Sequence, residues 1–165
     1  MNRIARFEKV TRERFAADFA DAFGCEETVY DRLKLPCRAT AGSAGYDFFL
    51  PCALTLAPGE TAKIPTGIRA SMAEGWVLML FPRSGLGFKY RLQLNNTVGI
   101  IDSDYYYSDN EGHIFNKVTN DSNEGKTLML AEGDGFAQGI FLPFGLTEDD
   151  DATAVRNGGF GSTGK

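Results

Sequence analysis

Apolar residues along this chain fall into two regimes of different period. Phe15, Phe19 and Phe23 recur at every fourth position, with Ala16, Ala20 and Ala22 beside them and charges opposite. That spacing lays an apolar stripe along one face and predicts a helix over 11–23. Thr11 is placed to cap its start and Gly24 to end it. Such a stripe is a packing face, for docking on the body of the protein or on a neighbouring subunit. From residue 35 onward the pattern changes to short apolar runs punctuated by Gly and Pro. Strands are predicted at 46–50, 54–56, 61–65, 67–71, 76–81, 112–119, 127–131 and 136–142. Pro51, Pro58, Pro65 and Pro82 punctuate the runs rather than interrupt them, as strand interiors require. Strands and helices do not alternate, and no internal repeat is present. The pattern therefore predicts an all-β sandwich or barrel rather than a doubly wound sheet. The chain divides into a helical extension (1–34), a β-barrel core (35–150) and a glycine-rich tail (151–165).

Composition narrows the function classes. The 165 residues, 43% hydrophobic and 24% charged, suit one soluble domain. No run has the apolar length of a membrane span and no signal-peptide pattern opens the sequence, so a cytoplasmic protein is expected. Three cysteines, Cys25, Cys37 and Cys52, lack metal-ligand spacing and read as reduced thiols. A formal net charge of −5 argues against duplex nucleic acid as a partner, though local arginines can still serve an anionic small molecule. With His113 as the single histidine, acid–base chemistry falls mainly to carboxylates.

The chain is organised around Asn95-Asn96-Thr97-Val98-Gly99-Ile100-Ile101-Asp102-Ser103-Asp104-Tyr105. An apolar, β-branched run wants a buried strand, and Asp102 directly after it holds a carboxylate on a stiff backbone. The same residues would also suit an Asx turn, in which Asp and Ser satisfy backbone donors. Four other stretches combine glycine with polar groups. Ala41-Gly42-Ser43-Ala44-Gly45-Tyr46 delivers Asp47 at a strand start. Pro82-Arg83-Ser84-Gly85-Leu86-Gly87 offers a guanidinium, a hydroxyl and backbone amides, the donors a phosphate chain needs. Gly133-Asp134-Gly135-Phe136-Ala137 leads to Gln138. The tail runs from Arg156 to Lys165, and its Gly159 to Lys165 formally matches the start of a Walker A loop, but no Ser or Thr opening a helix follows Lys165. A terminus without fixed structure and a lid ordering over a nucleotide both suit it.

In this order the five stretches resemble the motifs of the trimeric dUTPase family, over residues from about 35 to the end. The resemblance implies a β jelly roll, a homotrimer with active sites shared between subunits, and Mg²⁺-dependent hydrolysis of dUTP to dUMP and pyrophosphate. It implies Asp102 as the base that activates water and Asp47 as a metal ligand acting through water. Arg83, Ser84, Gly85 and Gln138 match phosphate ligands. Asn96 and the backbone from Val98 through Gly99 to Ile101 match a hairpin pocket that reads uracil, and Tyr105 matches the residue packed on deoxyribose. In the tail, Phe160 matches the aromatic covering the base, with Gly161, Ser162, Thr163 and Arg156 towards the γ-phosphate. Three departures stand out. The segment Tyr106 to His113 is longer than the family pattern, Gly135 replaces a usual arginine, and Arg156 sits one residue closer to Gly158. Two rivals remain at this level. A dCTP deaminase shares the fold but needs a different second motif, and a nucleotide-binding regulator would use the extended segment and the helix as contact surfaces.

Overall fold

The computed structural model describes residues 2–24 and 29–158. Among these described residues twelve strands, all paired antiparallel, make the body: β1 Ala5–Lys9, β2 Cys37–Arg38, β3 Tyr46–Phe49, β4 Leu54–Leu56, β5 Thr61–Pro65, β6 Ile68–Met72, β7 Trp76–Pro82, β8 Leu92–Leu94, β9 Gly99–Ile101, β10 Phe115–Asn120, β11 Leu128–Leu130 and β12 Gly135–Pro143. They form a five-stranded sheet in the order β2-β3-β12-β7-β9, a three-stranded sheet β5-β10-β8, and two pairs, β1-β6 and β11-β4. The jelly roll encloses one core that includes Phe48, Ile64, Leu78, Leu80, Ile114, Leu128 and Phe136. Alternation explains the strands: in β10, Asn116, Val118 and Asn120 turn inward while Lys117 faces solvent.

The expected helix is α1, Arg12–Phe23, with the Thr11 hydroxyl accepting from the Arg14 amide and the Gly24 N–H closing onto the Ala20 carbonyl. Phe15 and Phe19 are buried in a second cluster with Val10, Val29 and Leu33. The turn α2, Val29–Arg32, belongs to this cluster through Val29. A strand that the periodicity did not signal precedes the helix. In β1, Phe7 packs its ring against Tyr46, Phe48 and Phe141 at 5.3–5.6 Å, so burial of one aromatic holds a segment otherwise rich in charge. No helix among the described residues is long and apolar enough to cross a membrane.

Candidate active site

The strand β7 carries chemistry at both ends. Beyond its carboxyl end, Arg83 begins the short helix α3, Ser84–Tyr90. Register in the five-stranded sheet places Asp47 opposite Gln138, and Gln138 opposite Phe81, so three motifs remote in sequence meet within three adjacent strands. Arg83 Nε lies 3.3 Å from Asp47 Oδ1, and its Nη1 donates to the Gly135 carbonyl at 3.2 Å. A register shift between Gly135 and Ala137 bends β12 where that carbonyl receives the guanidinium. The fit is close: a Cβ on Gly135 would lie 2.7 Å from Arg83 Nη1, so the guanidinium would have to shift. The arginine usual in this motif is thus replaced by a seat for Arg83. Gly45 plays a similar part, since a Cβ there would fall 2.6 Å from Gln138 Oε1. Gln138 Nε2 in turn donates to the Pro82 carbonyl at 3.4 Å.

Arg83, Ser84, Gly87, Phe88 and Gln138 line an open cleft of about 610 Å³. Ser84 and Gly85 are exposed at the start of α3, where no side chain caps the helix. A guanidinium, a hydroxyl, a carboxamide and main-chain donors around one cleft suit an anion with several oxygens.

Asp102 lies elsewhere. It follows β9, which pairs with β7 as Leu78 opposite Ile101 and Leu80 opposite Gly99. Asp102 therefore sits towards the Trp76 end of β7, whereas the Arg83 cradle sits past Pro82. At about 3.3 Å per residue, the run from Leu78 to Arg83 separates the two by roughly 17 Å. That exceeds what an aspartate and an arginine side chain can close.

The nearest cation to Asp102 comes from the tail. Arg156 Nη2 donates to Asp102 Oδ2 at 2.5 Å and Arg156 Nε to Asp104 Oδ1 at 2.8 Å. Asp104 went unassigned from sequence; the signal available was the pair of acids two positions apart, which one guanidinium can bridge. Phe160, Gly161, Ser162 and Thr163 lie outside the described residues.

The segment from Asn95 to Val98 turns from one sheet into the other. β8 pairs with β10 and β9 with β7, so the expected hairpin is a crossover turn, with Thr97 at a φ of 68°. Asn96 is exposed in that turn, its carbonyl accepting from the Val98 amide. Gly99 and Ile101 are buried, and a Cβ on Gly99 would meet Leu80 at 3.0 Å, so β9 presses against β7. As the edge of its sheet, β9 leaves one row of backbone donors and acceptors for a partner. Tyr105 is buried in the 3₁₀ turn Ser103–Tyr107, and its hydroxyl donates to the His113 carbonyl at 2.6 Å. Burial pushes its pKa up against the opposing Asn110 hydrogen bond, so it stays a neutral donor.

Comparison with known proteins bears on this arrangement directly. A family model described as dUTPase matches residues 31–164. The chain belongs to the dUTPase family. The deoxyuridine 5′-triphosphate nucleotidohydrolase of Lactococcus lactis is 42% identical over 135 residues, covering 80% of this chain and 89% of that protein. The Shigella flexneri serotype 5b enzyme of the same name is 42% identical over 145 residues, covering 83% and 91%. Among solved structures, the dUTPase from Streptococcus mutans superposes with a TM-score of 0.65 at 38% identity, covering 86% of this chain and 98% of that one. Membership makes this dUTPase a nucleotide hydrolase acting on dUTP. Among its described residues no group of three or more His, Cys, Asp and Glu is placed to cage a metal. One carboxylate, Asp47, beside a cleft suited to an anion with several oxygens fits Mg²⁺, which keeps most of its waters and is commonly shared with substrate phosphates.

Proposed function

We propose that this dUTPase is a homotrimeric, cytoplasmic enzyme that hydrolyses dUTP to dUMP and pyrophosphate at sites shared between subunits. The observation that carries the reading is the separation of roughly 17 Å between the Asp102 end of β7 and Arg83, which a single chain cannot close. A base and a cradle at opposite ends of one strand complete each other when copies associate head to tail, and such contacts close into a ring. Apolar groups left exposed support association: Phe88 beside the cleft is 91% exposed and Ile100 on β9 is 53% exposed.

In this reading Arg83, Ser84, Gly85 and Gln138 of one subunit bind and align the triphosphate. Asp102 of another takes a proton from a water aimed at the α-phosphorus, and the bond from that phosphorus to the bridging oxygen breaks to release pyrophosphate. Asp47 would hold Mg²⁺ through water; the bound ion supplies charge neutralisation on the triphosphate. The open edge from Gly99 to Ile101, with Asn96, pairs with the uracil edge, whose donor–acceptor order cytosine reverses. Tyr105 supports the deoxyribose. The tail of a further subunit would bring Phe160 over the base and Gly161, Ser162, Thr163 and Arg156 to the outer phosphates. Arg156 must then leave Asp102, which frees the base as the substrate is covered. The product dUMP feeds thymidylate synthesis, and removal of dUTP keeps uracil out of DNA.

The test is pyrophosphate release from dUTP, dCTP, dTTP and UTP, with Mg²⁺ and with chelator. Release from dUTP alone, dependent on Mg²⁺ and lost in Asp102→Asn, is expected. Ammonia release from dCTP, or saturable dUTP binding without turnover, would overturn the reading.

A further inference from the structure

Tyr105 is not held by the barrel alone. Its hydroxyl donates to the His113 carbonyl at 2.6 Å and accepts from Asn110 Nδ2 at 2.8 Å. Both partners lie in the segment that exceeds the family pattern. That segment is folded tightly: Asn110 Oδ1 accepts from the Gly112 amide, and the Asn110 carbonyl accepts from the His113 amide. Gly112 has a φ of 69°, and a Cβ there would lie 2.7 Å from Tyr106 Cα. Only glycine fits both the left-handed backbone and the contact.

The N-terminal segment grips this loop at three points. Glu8 accepts from the Tyr106 hydroxyl at 2.5 Å, and Glu111 accepts from both the amide and the hydroxyl of Thr11. The third point is His113, wholly buried between Phe15 and Phe115. Its Nε2 accepts from the Gly67 amide at 2.8 Å, so the hydrogen sits on Nδ1, which donates to Asp18 Oδ2 at 2.6 Å. Arg14 lies 3.6 Å from the other Asp18 oxygen. A continuous set of contacts therefore runs from helix α1 through His113 to the tyrosine hydroxyl.

We propose that Asp18, His113 and Asn110 are positioning residues that commit the Tyr105 hydroxyl and thereby set the discrimination of deoxyribose from ribose; this rests on the dUTP-hydrolase reading above. A hydroxyl whose hydrogen is donated and one of whose lone pairs is occupied has little to offer a ribose 2′-OH. The ribose group must then lose water against the fixed phenol without gaining a partner. Released, the phenol can rotate and accommodate it.

The experiment compares kcat/KM for dUTP and UTP in the full chain with Mg²⁺. Asn110→Ala and Asp18→Leu are expected to lower the dUTP-to-UTP ratio about tenfold, while Asp18→Asn, which keeps an acceptor for His113, retains the parent ratio. A purely structural role would lower both substrates alike and leave the ratio unchanged. In a Tyr105→Phe background, Asn110→Ala should have no further effect on the ratio. Parent ratios in folded Asn110→Ala, or an undiminished effect without the hydroxyl, overturn the inference. Asn110 is only half-buried, so its variant decides the matter even where Asp18→Leu does not fold. Absence of dUTP hydrolysis by the parent protein would instead refute the functional reading and this inference with it.

Discussion

Mixing two inactive chains should restore activity. Asp102→Asn removes the proposed base from one end of β7, and Arg83→Ala removes the proposed cradle from the other. Loss of a general base costs about 10²–10⁴ in rate and loss of a charged hydrogen-bond donor about 10–10², so the Asp102→Asn chain alone should retain about 1% or less and the Arg83→Ala chain a few per cent. In assemblies formed by co-refolding equal amounts, a working site takes its base from an Arg83→Ala subunit and its cradle from an Asp102→Asn subunit. Independent choice of each half by chance gives about one quarter of sites complete. Pyrophosphate release should therefore recover to about 25% of the parent at equal total protein, far above the background of either chain. Differently tagged chains, purified through both tags, show that mixing has occurred. Mixed assemblies that stay at background would refute the argument from β7, because they would mean that base and cradle act within one subunit.

Gly135→Ala should displace Arg83 and raise KM for dUTP about tenfold, as expected for loss of a well-placed charged hydrogen bond; an unchanged KM would show that the guanidinium does not need that seat. Burial holds the His113 pKa below its ordinary 6.5, with the Asp18 hydrogen bond opposing. As pH falls below 6.5 the unfolded chain takes up its proton first, so His113's contribution to stability is lost as pH drops towards the lower folded-state pKa and is level above 6.5. Urea melts at pH 8 and 5.5 should show this loss, and His113→Gln should remove that part of it; an equal pH dependence in the variant counts against the assignment. Phe19→Ala, emptying a buried site in the second cluster, should cost about 3–5 kcal/mol and lower Tm by about 10 °C. A drop of a degree or two in a calorimetric scan would mean that the helix is only loosely docked.

Where local chemistry dictates structure, the sequence was legible. Thr11, the aromatic stripe and Gly24 marked α1 to within a residue, and the runs at 54–56 and 61–65 coincide with β4 and β5. Elements made by tertiary contact were not. β1 has a single aromatic among charges and depends on the rings that receive Phe7. α3 contains Gly85 and Gly87, poor helix formers, so its composition argued for a loop. The site divides in the same way. Motif chemistry pointed to Asp47, Arg83, Gln138 and Asp102 as candidates, but the seat of Arg83 on Gly135 and the distance to Asp102 follow from strand register, which no single motif encodes. The bridge from Arg156 to Asp102 and Asp104 joins groups more than fifty positions apart and was equally invisible.

The clasp between helix α1 and His113 also has a consequence for biosynthesis. Asp18 and His113 are separated by 95 positions. At about 5–20 residues per second, translation leaves the finished helix waiting roughly 5–20 s for its partner. Through that interval Phe15 and Phe19 have no loop to close over them, and a local helix of twelve residues is marginal without packing. The nascent chain can still bury the stripe against Val10, Val29 and Leu33 early, whereas the clasp through His113 closes only after most of the chain has been made.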